Sequence, residues 1–525
     1  MNSAQDVHRR WTIVGVTAAV AFGAAVRLLG IRRLSFWFDE GYTAWVIDHP
    51  ARQIIHLISA DTAGPLYYLL LHAWSLIFGR SEAALRGMSA LFGILSIVLV
   101  AAIASRLVKK PAVAIAAAWI FALSWWQIAY SQEARPYELT VFLTAAILYA
   151  VLRYLENPCG IWLTAAIAAS AAGLYTNNFM PLYIAAIAVA ALIAPSPLPM
   201  RRRLRDGFIA MLVLTVLYLP WTSALHRQIH RVNSDFWIPP PTLDSVCQEL
   251  SRMCGIEHFW TWDQHVHRFF SDTSQGVPRT AAAIFLLGVI AAAVRLRGDH
   301  RRAALFLLAA ALLPLVAAII YSLLSPSIFL PAGFLPSSLI CAIFLAAPLV
   351  WCGRWPGRAL VWLVLALSAV NLWAFETERT KEDWRSAAAA VAAMPPVPHR
   401  LIVFAAPEAQ LPFDYYYHLR PGESETGAPV AFLTQDPPRT GLRVLRDSDL
   451  DNLRAHLATA KPDDVILVIS HAGWVDGSGQ WHSEYSDPDG LTARYMLEVM
   501  QPVQRFDLPD DSSKHQITIW RLAPR

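Results

Sequence analysis

Ala303–Leu324 reads AALFLLAAALLPLVAAIIYSLL, without one charged residue. At about 1.5 Å per residue, a helix of this length matches the roughly 30 Å hydrocarbon core of a bilayer. Trp11–Gly30, Ala112–Ile128 and Ala281–Val294 are runs of the same kind. Of the 525 residues, 56% are hydrophobic and 16% charged, against roughly 25% charged in soluble domains. A single soluble core does not account for this, because the apolar residues are gathered into long blocks. The opening block is long for a cleaved signal peptide and many more follow, so it reads as a retained first helix. The net charge of +4 is spread over short basic clusters between blocks. That is a membrane-topology pattern and excludes a nucleic-acid footprint.

Those clusters fix the sides. Arg9–Arg10, Arg106–Lys109–Lys110, Arg201–Arg205, Arg295–Arg302 and Arg354–Arg358 all fall on the cytoplasmic side only if the number of spans between them is right. The apolar stretch Pro65–Phe78 cannot be a span on this parity and is placed as a juxtamembrane helix on the outer surface. Spans are expected at residues 11–30, 86–106, 112–129, 138–154, 161–176, 180–195, 207–221, 279–294, 303–323, 333–350 and 358–375, about eleven in all. Arg32 and Arg33, just outside the first span, run against the charge rule and hint at a bound anion. Trp125, Trp126, Trp221 and Trp373 at outer ends, with Trp351 and Trp355 at an inner one, resemble an interfacial belt.

The expected fold class is therefore a polytopic α-helical membrane protein with a C-terminal extracytoplasmic α/β domain. The membrane part would cover residues 1–378 and the outer domain 379–525. In the latter, helical stretches (Trp384–Met394, Ser448–Ala460, Leu491–Met500) alternate with strands (Leu401–Ala405, Asp464–Ser470, Gln516–Leu522). Cys247 and Cys254 would lie about 10 Å apart on a helix, too far for a disulfide without a bend.

Three outer segments carry chemistry. In Phe36-Trp37-Phe38-Asp39-Glu40-Gly41-Tyr42, two carboxylates sit among aromatics. They suit a general base in a partly desolvated site, or a solvated acidic start to a surface helix. Asp61 precedes Ala63-Gly64-Pro65-Leu66-Tyr67-Tyr68 and either orients a hydroxyl or caps the next helix. The turn Tyr130–Tyr137 (YSQEARPY) holds Glu133, Arg135 and Tyr137 at the bilayer edge. This is a phosphate-binding arrangement or a local ion pair.

Together these segments resemble the GT-C glycosyltransferases of the protein O-mannosyltransferase and aminoarabinose-transferase type. The matching stretches are Ser35–Thr43 (SFWFDEGYT), Asp61–Gly93, Tyr130–Tyr137 and Lys381–Arg385 (KEDWR), in order along most of the chain. The resemblance implies a polyprenyl-phosphate-linked sugar donor, a lipid, glycan or protein acceptor, and transfer outside the cytoplasm. The first outer loop would supply the catalytic base, here Asp39 with Glu40 beside it. Asp61, Glu133, Arg135 and Tyr137 become substrate-binding candidates, with Arg32 and Arg33 as further phosphate contacts. One carboxylate base plus cations can suffice, because a phosphate leaving group needs charge stabilisation rather than a general acid. No metal or other cofactor and no nucleic acid enters this reading, and the Ala- and Arg-rich composition suggests a bacterial inner membrane.

The chain also departs from the pattern. Thr62-Ala63-Gly64-Pro65-Leu66 stands where relatives often have His-Pro-Pro-Leu or Asn-Pro-Pro-Leu. Ser325–Phe334 lacks the Arg-Tyr often found after the ninth span. His226, His230, His258, His265 and His267 share the outer loop 222–277, without a convincing third metal ligand beside the spaced pair. Packing or acceptor contact accounts for them better. Two other classes remain in view, a lipid-linked-sugar flippase and a non-catalytic carrier-binding relative. A transporter would place its ionisable groups near mid-membrane, on broken helices, whereas Asp39, Glu40, Asp61 and Glu133 gather outside.

Overall fold

The computed structural model describes residues 2–235, 238–256, 276–352, 354–379, 381–397, 400–405, 409–417, 447–470, 474–475, 481–482, 491–508 and 517–525. Among these, eight helices are long and apolar enough to cross a membrane, and a bent pair makes a ninth. Gly160–Leu174 and Met180–Ile193 are shorter apolar helices in the remaining two expected positions, so each of the eleven expected spans coincides with helix. Leu66–Phe78 is helical and too short to cross. The chain is an integral, multi-pass membrane protein.

Local chemistry sets the boundaries. Ser81 accepts a hydrogen bond from Ala84 N and caps the helix Glu82–Val108. Lys109 then turns left-handed, and Pro111 opens the next helix, where a missing N–H costs nothing. The third span is broken rather than straight: Pro111–Ala122 and Trp125–Ser131 meet at 58°. A buried side chain takes up a carbonyl at the break, and another ties the second half to a neighbouring helix. Arg27 Nη1 reaches Ala122 O at 3.3 Å, and Gln127 Nε2 donates to Leu335 O at 3.0 Å and to Ser338 Oγ at 2.8 Å. Gly93 makes room for this polar cluster, since a Cβ there would lie 2.4 Å from Ser131 Oγ and 3.0 Å from Glu138 Oε2.

Connections expected on the same side meet one another. On one face, Gly64 N bonds Thr176 O at 3.3 Å, Leu66 N bonds Tyr175 O at 2.9 Å, and Tyr183 Oη reaches Gly333 O at 3.3 Å. On the other, Arg106 pairs with Glu156, Ser196 Oγ donates to Leu155 O at 2.7 Å, and Tyr154 bonds Asp206. Arg203 donates to the carbonyls of Ala191, Leu192, Ala194, Ser196 and Leu198, which closes a basic face opposite the acidic loops.

After the last span, β1 (Arg400–Phe404), β2 (Asp464–Ile469), β5 (Met500–Leu508) and β6 (Ile517–Pro524) form a sheet in the order β1-β2-β6-β5. β3 (Trp474–Val475) and β4 (Trp481–His482) form a separate two-stranded ladder. β1 and β2 are parallel and the other pairs antiparallel. β2 is buried along its length because both sheet faces are covered. Val465, Leu467 and Ile469 meet Leu453 and Met496 on one side, while Ile466 and Val468 meet Trp384, Val391 and Phe413 on the other. β5 was not expected from the sequence. It is a largely exposed edge strand with a register shift between Pro502 and Gln504, so it lacks the alternation that marks a half-buried strand.

The helix Gln410–Tyr417 ties the two parts together by packing on the helix Phe38–Ile47. Gly41 lets the backbones close, since a Cβ there would stand 2.6 Å from Pro412 N and 2.9 Å from Pro412 Cα. Gly41→Ala is therefore expected to cost about 1–3 kcal/mol by overpacking, read as a lower melting temperature of the detergent-solubilised protein. On the same helix, burial pushes the Asp414 carboxyl up to about 7, against a hydrogen bond from Gln410. The folded state then binds more protons than the unfolded chain, whose Asp titrates near 4. This contribution to stability is intact below about pH 4 and is lost as pH rises towards about 7. Asp414→Asn is expected to flatten that part of the stability–pH curve, as thermal melts between pH 4 and 8 will report.

Candidate active site

The helix Phe38–Ile47 starts with its two acids in the first turn, where the positive helix end favours them. They then point to different surroundings. Asp39 is one quarter exposed, and its Oδ2 lies 3.2 Å from Arg135 Nη2. Glu40 is fully buried. Its Oε1 accepts from Arg86 Nε at 2.7 Å and from Ala134 N at 3.0 Å; its Oε2 accepts from Arg86 Nη2 at 2.7 Å and from Lys381 Nζ at 3.4 Å. Burial alone would raise the Glu40 pKa, but the Arg86 guanidinium and then Lys381 hold it down, to about 2. It is a structural anion wedged into a cationic socket.

Arg86 builds that socket. Besides Glu40, it donates to Ile31 O at 2.8 Å, Leu34 O at 2.7 Å and Ser35 O at 3.0 Å, and it stacks over Phe36 at 4.9 Å. Its planar fork thus fixes the whole approach to Asp39. The C-terminal segment braces the same loop. Ser35 Oγ donates to Glu382 O, Tyr416 Oη accepts from Phe36 N at 2.7 Å, and Arg385 Nη2 meets Glu82 Oε1 at 2.7 Å.

Arg135 comes from the turn between the broken span and the helix Tyr137–Glu156. It donates to Tyr68 Oη at 3.3 Å and lies 5.9 Å from the Tyr137 ring centroid, and its Nε is buried without a hydrogen-bond partner. Burial disfavours its charge, but the Asp39 carboxylate outweighs that and holds the guanidinium protonated above its usual range. Asp61 is buried, and its charge acts on both Arg135 and Tyr68. Asn178 and Gln228 hold its segment: Asn178 Nδ2 donates to Thr62 O at 2.9 Å and to Gln228 Oε1 at 3.0 Å, while Gln228 Nε2 donates to Ile58 O and Ala63 O, both at 3.1 Å. The Ala63-Gly64-Pro65 departure has a steric account here, because a Cβ on Gly64 would lie 2.2 Å from Tyr175 O.

Glu133 pairs with Lys381 at 2.7 Å, and its Oε2 is buried without a partner. Burial pushes its carboxyl up; Lys381 opposes this, and the Glu40 and Asp39 charges add to it. Asp39, Asp61, Glu133, Arg135 and Tyr137 are thus gathered into one neighbourhood. Arg32 and Arg33 have other partners: Arg32 is exposed, with its carbonyl bonded to Arg385 at 3.1 Å, and Arg33 meets Glu376 at 3.5 Å.

The turn Pro331–Phe334 is packed by aromatics, with Gly333 pressed on the Phe179 ring. The cation in its vicinity comes from the neighbouring helix Leu243–Met253, which touches that turn. Arg252 stands 5.8 Å from the Trp126 ring and 3.0 Å from Glu249, and its charge acts on Tyr130. Tyr130 in turn meets Tyr137, their ring centroids 4.8 Å apart. Arg86, Asn178, Gln228 and Arg252 were not singled out in the sequence. Arg86, a charged residue in the otherwise apolar helix Glu82–Val108, offered a signal; Asn178 in a turn, and Gln228 and Arg252 on polar helices, offered none. Among the described residues, no three His, Cys, Asp or Glu side chains converge as a metal site. His226 and His230 are exposed on the helix Thr222–Asp235; His258, His265 and His267 lie outside the described residues.

Residues 61–223 match the family model of dolichyl-phosphate-mannose-protein mannosyltransferases, a stretch that holds Asp61, Glu133, Arg135 and Tyr137 but not Asp39. No curated protein matches the chain in sequence. Among solved structures it is similar to ArnT from Cupriavidus metallidurans in the apo state, at 15% identity and a TM-score of 0.57, covering 98% of both chains. The same protein bound to undecaprenyl phosphate gives 16% identity and a TM-score of 0.53 over 97% of this chain and 98% of that one. The archaeal oligosaccharyltransferase AglB from Archaeoglobus fulgidus, in complex with an inhibitory peptide and a dolichol-phosphate, gives 12% identity and a TM-score of 0.50 over 92% and 75%. The likeness runs over nearly the whole chain, and by its architecture the chain shares the fold of these solved membrane proteins.

Proposed function

We propose that the protein is an inverting glycosyltransferase that moves a sugar from a polyprenyl-phosphate donor to an acceptor hydroxyl at the outer face of the membrane. The reading rests on one juxtaposition above all: a part-exposed carboxylate, Asp39, 3.2 Å from a buried guanidinium, Arg135, at the same membrane face as Asp61. The acceptor oxygen attacks the anomeric carbon as the bond from that carbon to the phosphate oxygen breaks. The hydroxyl proton passes to Asp39, and the polyprenyl phosphate leaves with its charge facing Arg135 and, beyond Tyr137 and Tyr130, Arg252. A single displacement inverts the anomeric centre. Glu40 and Arg86 hold Asp39 in place, while Asp61, Glu133 and Tyr137 line the approach. Basic clusters on the opposite face support a cytoplasmic N-terminus with the C-terminal domain outside. The undecaprenyl-phosphate-bound relative of the same fold supports the class of carrier.

The test follows labelled sugar out of the native polyprenyl-phosphate pool in membranes with wild-type or Asp39→Asn protein. Loss of label from the carrier only with wild type supports the transferase. Label that stays on the carrier yet changes sides with either protein sinks it in favour of a flippase.

A further inference from the structure

Between the ends of the first and last spans lies a cavity of about 110 Å³ that borders the candidate active site at Arg86 and Glu133 and extends beyond it to Gln132 and Arg379. Its polar lining comes from Arg86, Gln132, Glu133, Arg379 and Lys381. Arg86 is fully occupied by Glu40 and three carbonyls. Arg379 is not. Nη1 bonds Gln132 Oε1 and Nη2 meets Glu376 at 3.0 Å, but its buried Nε has no partner, although the side chain is only 9% exposed.

The charges do not balance. Arg33, Arg86, Arg379 and Lys381 face Glu40, Glu133 and Glu376, four cations against three carboxylates. Burial, together with the charges of Arg33 and Arg86, pushes the Arg379 pKa down against the pull of Glu376, the mark of a cation short of anions. Burial also pushes Glu133 towards its neutral form, which widens the excess. Water can satisfy the orphaned donor but cannot compensate the charge. The space holds a group the size of a phosphate.

The setting indicates what carries that group. Leu28 and Leu29, just before the lining residues Gly30 and Ile31, are 51% and 71% exposed. An apolar surface rising to a cationic recess at a span end is a lipid's shape. We propose that this cavity binds the phosphate of a membrane lipid, held by Arg379 and Lys381, with the lipid's chain along Leu28 and Leu29. The phosphate would be a phospholipid headgroup or that of a polyprenyl carrier. Lipid binding at this cavity does not require Asp39 to be a base.

Full-length protein in detergent, titrated with dioctanoyl phosphatidic acid, a polyprenyl phosphate and inorganic phosphate, tests this. Wild type is expected to bind a lipid phosphate at least about tenfold more tightly than Arg379→Gln, roughly the loss of one charge-assisted contact. A difference seen with both lipids, or with either alone, supports the site and tells which source it prefers. Equal binding of both lipids by wild type and variant overturns it. Inorganic phosphate binding as tightly as the lipids overturns the lipid assignment. Should Arg379→Gln misfold, the half-exposed Arg33→Gln replaces it, with a few-fold loss expected and no change counting against the site. Lipid binding lost with transfer intact, or the reverse, separates this inference from the transferase reading.

Discussion

Membranes carrying Asp39→Asn protein are expected to transfer sugar about a hundred- to ten-thousandfold more slowly than wild type, the usual worth of a positioned proton acceptor. Asn keeps the shape and can still accept a hydrogen bond from Arg135, so the fold should survive. It cannot take the hydroxyl proton in the transition state. The loss should fall on kcat, with the donor's KM nearly unchanged, because the interaction removed is made only as the acceptor ionises. Arg135→Gln should differ in kind. It removes the cation facing the phosphate in both ground and transition states, so donor KM rises as kcat falls. A reading in which Asp39 merely caps its helix predicts neither pattern, only a modest loss of stability.

Glu40→Gln is expected to fail for a different reason. It leaves the buried Arg86 without its counter-ion, and breaking such a pair costs about 3–5 kcal/mol. Most of the protein should be lost to aggregation, or melt far below wild type, when followed by size-exclusion and thermal unfolding in detergent. The double variant Glu40→Leu with Arg86→Met should regain part of that stability, since a buried pair can be replaced by apolar groups at little cost. The recovery should be incomplete, because the carbonyls of Ile31, Leu34 and Ser35 lose their donors as well. Neighbouring acids thus separate cleanly, one through chemistry and the other through folding. Full stability of Glu40→Gln would contradict the socket.

The membrane architecture was legible in the sequence because hydropathy and charge are sums over neighbours along the chain. Each expected span meets helix, and connections grouped by the parity of basic clusters meet across the structure. The segments that meet at the candidate site drew notice in the sequence too, since acids and arginines at span ends are costly unless paired or bound. Three features escaped: the 58° break in the third span, the exposed edge strand Met500–Leu508, and the docking helix Gln410–Tyr417. Each depends on what packs against it rather than on its own composition.

The surroundings of each candidate residue were decided by tertiary structure alone. Asp39 and Glu40 are adjacent carboxylates at one helix start, and nothing local distinguishes them. What does is Arg86, 46 residues from Glu40, the Ala134 amide, 94 away, and Lys381, 341 away. Gly64 looks like one more departure from the family pattern until Tyr175 appears against its backbone. The sequence by itself determined which segments lie in the bilayer and which chemistry-bearing residues gather at its surface, because transfer from water to lipid is additive along a helix. Only the tertiary structure encloses Glu40 completely, between Arg86, Lys381 and the Ala134 amide, while Asp39 meets Arg135 at 3.2 Å and keeps one quarter of its side chain exposed. Electrostatic environment is a property of position in space, and one chain position apart is enough to reverse it.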